Sequence, residues 1–447
     1  MLVSWLAVAF AGLADARALW TPTGSNPPLA TSFPTPSEDP FYVIPNNISS
    51  YAAGGVIRAR TVFSTEFGAL VNAREIFYRT TNRQGNATGT VTTVFIPAAP
   101  LSPPAILSYQ AAEDALNIMC APSWANVNTT SEQEAYLGAF LTPIATFALA
   151  QGYYVVNSDD EDADSEWLVG ITEGRATLDG IRAAQNSLDI ASERPAVALL
   201  GYSGGAHETV WAASLAMAYA PELNIVGAAY GGTPVDLGAA YTLLNGASGA
   251  ALAGGAIVGL ANGYPALNAT LNTLLTPLGK QTFAKFRGVD ACIVETGAAF
   301  ANVNFSSPAY FNGGDPMKNP VVAKVVADES LLMNVSSLPI PVPKFPRYEW
   351  HGLNDSTVPY EPEKIYVEQQ CQHGANIAFV SYPGLNHDEA AILGLPGALR
   401  FIEEALKGAW QTPPCGQNLS TPVLGSVQAI ELLGAAVDAL LLDELTA

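Results

Sequence analysis

Gly201-Tyr-Ser203-Gly-Gly205 stands where the apolar run Ala196–Leu200 gives way to an alanine-rich helical pattern. A serine on so tight a strand-to-helix turn is held in strained backbone geometry. Its hydroxyl is lifted above the sheet edge, and the flanking residues must be small for strand and helix to approach. The first N–H groups of the new helix then point at any oxyanion that forms beside the serine. G-x-S-x-G has little specificity in a chain with 39 glycines, so its context carries the reading: a strand precedes it and a long uninterrupted helical pattern follows.

A serine becomes nucleophilic only when a base takes its proton and a carboxylate orients that base. Strand-turn-helix hydrolases place these groups in the chain order Ser, acid, His. The chain has four histidines. His207 lies one turn into the helix after Ser203 and reads as packed or locally bonded. His351 ends a strand. His373 ends a helix, where a cation meets the negative end of the dipole. His387, in Ser381-Tyr-Pro-Gly-Leu-Asn-His387-Asp-Glu, falls in the loop after the last strand and is the expected base. The expected acid is Asp355, in the segment His351-Gly-Leu-Asn-Asp355-Ser-Thr-Val-Pro, again after a strand. Its bland alternative is an aspartate that shapes an Asx turn. Asp388 adjoins the base and is the weaker candidate. His207-Glu-Thr-Val-Trp211 begins like the zinc motif H-E-x-x-H, but tryptophan stands at the second ligand position, and zinc chemistry is disfavoured.

These positions need an α/β scaffold. Val56–Val62, Glu75–Thr80 and Thr90–Ile96 alternate as an antiparallel group. Apolar strands then alternate with helices: strand Ala105–Tyr109, helix Pro143–Ala150 with Thr142 as N-cap, strand Tyr153–Asn157, helix Gly174–Leu188, strand Val197–Gly201, helix Gly204–Tyr219 and strand Asn224–Tyr230. That order predicts a mostly parallel sheet covered on both faces. Leu237–Gly279 contains no charged residue. Glycines, asparagines and Pro265 interrupt it too often for a membrane span, so an apolar cap of two or three helices is expected, reaching about Ser337. The rival is helices merely buried between two domains. Strands Tyr348–His351 and Ile377–Tyr382 follow, with helices Pro362–His373, Gly397–Lys407 and an amphipathic Val427–Leu442.

The chain has 447 residues, only 13% of them charged, and a net charge of -21, which disfavours nucleic acid and anionic membrane surfaces as partners. Residues 1–16 read as a signal peptide ending in Ala14-Asp-Ala16, and 17–40 as an extended lead-in, so secretion is expected. Sequons at Asn47, Asn86, Asn128, Asn268, Asn304, Asn334 and Asn418 fit that compartment. Asn354, beside the expected acid, is read as unmodified. Cys120, Cys292, Cys371 and Cys415 then suggest two disulfides, with three pairings open from the residues alone.

Asp39-Pro-Phe-Tyr, Glu113-Asp with Cys120-Ala-Pro-Ser, Gln151-Gly-Tyr-Tyr-Val-Val, Gly201-Tyr-Ser-Gly-Gly-Ala-His, Ala220-Pro-Glu-Leu-Asn-Ile-Val-Gly and Val358-Pro-Tyr together resemble the fungal secretory lipase family, from Asp39 to Cys415. The resemblance implies an α/β-hydrolase core (41–231 and 338–447) with a helical lid at 232–337. It also implies the triad Ser203, Asp355 and His387, an oxyanion hole from Asp114 and the backbone of Gly204, and the disulfide pairs Cys120–Cys292 and Cys371–Cys415. No cofactor or metal is called for. The expected substrate is a triacylglycerol at an oil-water interface, met by a monomer without stable membrane insertion. The rivals are an esterase for short or bulky soluble esters, a serine peptidase, and an inactive lipid-binding protein. Two departures stand out: the acidic run Asp159-Asp-Glu-Asp-Ala-Asp-Ser-Glu166, and a tail without the polar extension that forms a C-terminal flap in one member of the family.

Overall fold

The computed structural model describes residues 33–63, 72–127, 132–289, 291–338, 340–419 and 421–446. The expected leader, most of the lead-in and the sequon at Asn128 lie outside these. Among the described residues nine strands form one sheet: β1 (Val56–Phe63), β2 (Asn72–Thr81), β3 (Ala87–Ile96), β4 (Ala105–Gln110), β5 (Tyr154–Ser158), β6 (Ala196–Tyr202), β7 (Asn224–Gly231), β8 (Arg347–Gly352) and β9 (Ile377–Tyr382). Their order is β1-β2-β3-β5-β4-β6-β7-β8-β9, antiparallel through β5 and parallel from there on.

The helices are α1 (Pro122–Ala125), α2 (Glu132–Ala150), α3 (Gly170–Ser187), α4 (Gly204–Tyr219), α5 (Leu237–Leu244), α6 (Ala250–Gly263), α7 (Pro265–Leu274), α8 (Pro277–Ala284), α9 (Ile293–Phe300), α10 (Pro320–Asp328), α11 (Tyr360–Gln372), α12 (His387–Leu406), α13 (Val427–Leu433) and α14 (Ala435–Thr446). The strand period of two sends alternate side chains to opposite faces. On β6, Ala198 and Leu200 pack into the core shared with α2, α12 and α14, while Val197 and Leu199 pack into the one shared with α3 and α4.

Four expectations shift. α2 begins ten residues before Thr142 and carries Pro143 in its interior; burial of Leu137, Leu141, Ile144 and Ala148 in one apolar cluster holds both sides of the proline in a single helix. α12 likewise starts at His387 and runs through Pro396, so the expected base lies on the first turn of a helix and not in the loop before it. The tail is two helices, because Gly434 takes φ +80° between α13 and α14. Finally, six α-helices, not two or three, stand among the described residues between β7 and β8. They bury an apolar cluster together with Leu116 and Trp167, Leu168 and Val169, and in it Phe283 meets Phe286, Phe305 and Phe311 edge-on.

Candidate active site

β4 and β6 are neighbours, but the chain leaves β4 for β5 on one side and continues from β6 to β7 on the other. A crevice opens at such a reversal beyond the C-terminal ends of the strands. The residue after β6 is Ser203, with φ 57° and ψ -122°. Its N–H donates to the carbonyl of Gly231 at 2.9 Å, which pins the strained turn to β7. Glycine is required on both sides. A Cβ on Gly201 would meet the Gly205 carbonyl oxygen at 2.1 Å, and one on Gly205 would meet that of Gln110 at 2.1 Å.

His387 is oriented before it meets any partner. Asn386 caps α12 in a capping box with Glu389, and Tyr202 donates its hydroxyl hydrogen to the His387 carbonyl at 2.7 Å. The Tyr202 ring packs 5.0 Å from the imidazole. Gly232, at φ +55°, leaves room for the ring, since a Cβ there would come within 3.0 Å of His387 Cε1. In this pose Nε2 lies 2.9 Å from Ser203 Oγ and Nδ1 2.6 Å from Asp355 Oδ2. The carboxylate can only accept, so Nδ1 carries the hydrogen and the Nε2 lone pair faces the hydroxyl.

Asp355 follows β8. Its Oδ1 accepts the N–H groups of Thr357 and Val358 at 2.8 and 2.7 Å. Burial pushes its pKa up, but hydrogen bonds from His351 and His387 and their charges overcome this and hold the carboxyl well below its ordinary value. The Asx turn and the contact with the base therefore coexist, one on each oxygen. Asp388 is exposed on the first turn of α12. His207 is fully buried and bonded through Nδ1 to Glu173 at 2.7 Å, and His373 bonds the Gln369 carbonyl at 2.8 Å; neither joins the set.

Asp114, after β4, adopts φ +48° and stands beside the first residue of α4: a Cβ on Gly204 would meet its Oδ1 at 2.1 Å. Burial, opposed by the charge of His387, pushes the Asp114 carboxyl up to about 6. Ser203, Gly204 and Asp114 form the floor of a cavity roofed by the uncharged helices, with Leu237, Leu244, Ala253 and Ile257 among its walls.

This geometry has clear relatives. A model of the secretory lipase family matches residues 134–413. A lipase A of Moesziomyces aphidis is 40% identical, covering 94% of this chain and 93% of its own. The chain belongs to the secretory lipase family. Another member, a secreted triacylglycerol lipase of Malassezia globosa, is 32% identical over 83% of this chain and 79% of its own. Among solved structures, Candida antarctica lipase A in its closed state superposes with a TM-score of 0.87 at 40% identity, covering 92% of this chain and 95% of that one. The α/β-hydrolase fold extends further, to an esterase of Xanthomonas oryzae at TM-score 0.61 and 20% identity.

In this secretory lipase the structure pairs Cys120 with Cys292 and Cys371 with Cys415. No described helix is long and apolar enough to cross a membrane. Nothing in the sequence signals the burial of the acidic groups around the loop at Asp114. Glu113, Asp159, Asp160, Glu161, Asp162, Glu173 and Glu208 are all buried, where an acidic run ordinarily reads as a solvated face. Asp159 accepts from the Ser123 N–H at 2.7 Å and the Ser123 hydroxyl at 2.6 Å, and burial still pushes it up to about 7. Among the described residues one group could hold a metal ion, Asp162, Asp164 and Glu166, whose ligand atoms lie within 4.8 Å of one another. None of the three is a hydrogen-bond partner of Ser203, His387 or Asp355. Tyr202 and Gly232 were also missed. The signal that could have found Gly232 is the pair Gly231-Gly232 at the end of a parallel strand.

Proposed function

We propose that this secretory lipase hydrolyses triacylglycerol esters through an acyl-enzyme on Ser203. His387 Nε2 takes the Oγ proton as Oγ attacks the ester carbonyl, and Asp355 stabilises the imidazolium through Nδ1–H. The oxyanion is held by the backbone N–H groups at Gly204 and Asp114; removing one donor from such a site raises the barrier by about 3 kcal/mol. The alcohol leaves with the proton from His387. Water then repeats the sequence on the acyl-serine and releases the fatty acid.

The observation that carries this reading is the unbroken contact from Ser203 Oγ through His387 to Asp355 Oδ2, opening into an apolar cavity. The helices between Gly232 and Ser337 act as the cap of that cavity, a wall for the acyl chain at about 0.8 kcal/mol per buried CH₂. Residues 1–16 direct secretion and are removed.

The test is Ser203→Ala assayed on emulsified triglyceride and on a chain-length series of p-nitrophenyl esters. Turnover is expected to vanish with the melting temperature unchanged, and wild-type enzyme is expected to act on the emulsion. An active alanine variant sinks the mechanism. Action on acetate and butyrate with none on emulsion favours the esterase.

A further inference from the structure

The oxygen of Asp355 that meets His387 also meets a second histidine. His351, on β8, is fully buried, and its Nε2 lies 3.0 Å from the Val358 carbonyl oxygen and 3.2 Å from Asp355 Oδ2. Both neighbours are acceptors only, so Nε2 has to carry a hydrogen. At the other side of the ring, the carboxyl of Glu363, on α11 and fully buried, is seated against Nδ1. One proton shared in that contact suits the ring and the carboxyl alike, and it leaves the Nε2 hydrogen in place wherever the shared proton sits. Those two acceptors keep the hydrogen on Nε2 whatever stands at Nδ1, but they do not fix the ring: without a partner at Nδ1 the imidazole can tilt and carry its Nε2–H away from Asp355 Oδ2.

We propose that Glu363 and His351 are positioning residues for acyl transfer: Glu363 seats the His351 ring, and the Nε2 hydrogen of that ring holds Asp355 Oδ2 where His387 Nδ1 meets it. The proposal rests on the triad assigned above. The Thr357 and Val358 N–H groups anchor only Oδ1, so the orientation of the second oxygen depends on the two imidazoles, at 2.6 and 3.2 Å. The groups around His351 complete the picture. Asp355 comes from the loop after β8, with His387 of α12 beyond it. Glu363 and Tyr360 come from α11, the Tyr360 ring packing edge-on at 5.6 Å while its hydroxyl pairs with Ser381 of β9 at 2.9 Å. A buried pair that merely tied β8 to α11 would leave the chemistry alone once the protein was folded.

The experiment compares Glu363→Met, similar in shape but unable to hydrogen-bond Nδ1 as a donor, with Glu363→Gln, whose amide can donate to it. kcat and KM are measured on p-nitrophenyl butyrate, alongside melting temperature and the low-field N–H proton resonance of His387. Glu363→Met is expected to lower kcat about tenfold with KM within about twofold and to displace the resonance, while Glu363→Gln keeps kcat within about threefold of wild type. Full kcat in Glu363→Met, or equal losses in both variants, overturns the proposal. A measurement free of folding effects uses wild-type enzyme with ¹⁵N-labelled histidine: a directly bonded hydrogen on His351 Nε2 is expected, and a bare Nε2 overturns the proposal. Activity surviving in Ser203→Ala retires the triad itself. Activity lost there but kept in Glu363→Met retires this inference alone.

Discussion

At the residue scale, three side chains far apart in sequence meet because each is held by contacts that do not involve the other two. Ser203 is pinned through its N–H to Gly231, His387 through its carbonyl to Tyr202, and Asp355 through Oδ1 to the turn at Thr357 and Val358. Preorganisation of this kind lets a carboxylate set the tautomer of its histidine. Asp355→Asn keeps the shape of the side chain but offers an N–H where Nδ1–H needs an acceptor. It is expected to lower kcat by about 10⁴ with little change in melting temperature. A steady-state rate within tenfold of wild type would move the acid role elsewhere.

At the scale of the element, the elbow is a packing problem solved by absent side chains. A Cβ on Gly201 would lie 2.1 Å from the Gly205 carbonyl oxygen and 2.4 Å from Thr209 Oγ1, so β6 and α4 could not both keep their places. Gly201→Ala is expected to destabilise the protein by about 3 kcal/mol. Gly297 in α9 is the control, because a Cβ there has nothing within 4 Å; Gly297→Ala is expected to stabilise by about 0.5–1 kcal/mol. Urea melts of the two variants check this, and equal midpoints would refute it. α6 makes a different kind of contribution, presenting Ala253 and Ile257 to the cavity above Ser203. Filling that space with Ala253→Phe is expected to reduce kcat/KM for long-chain p-nitrophenyl esters at least about tenfold more than for the butyrate, since several buried CH₂ contacts are lost. A uniform effect across the series would show that the chain does not run along α6.

For the whole molecule, the buried carboxyls set the pH behaviour. Burial pushes Glu75 and Asp159 up to about 7 and Asp114 to about 6, and raises Glu113, Asp160, Glu161, Asp162, Glu208 and Glu349 well above the ordinary carboxylate range. The folded chain therefore binds more protons than the unfolded one above about pH 4. Stability is full below that point and is lost as pH rises through 7. Asp355 acts in the opposite sense, because its carboxyl is lowered, but only on acidification below about pH 4. The melting temperature is expected to peak near pH 4–5 and to fall by about 5 °C or more toward pH 8. Salt at about 0.5 M screens the surface charge but not buried groups, so the decline should persist in it. A melting temperature that climbs to pH 8 would contradict the burial of these acids.

The sequence alone determined the order of the nine strands and singled out the three side chains that meet at Ser203, because these are written locally. Period-two runs, glycine-bounded turns and a serine between small residues are short-range signals, and the chain order of serine, acid and base needs no coordinates. Helix starts at Glu132 and His387 were not legible. Pro143 and Pro396 are local stop signals, and burial against the sheet overrides them. The burial of the acidic run at 159–166 was not legible either, because the partners that take it in, Ser123, Thr172 and Thr177, are supplied only by the fold. Only the tertiary structure could bring Glu363 and His351 up behind Asp355, since contact between neighbouring elements depends on where β8 and α11 come to rest, and no spacing along the chain encodes that.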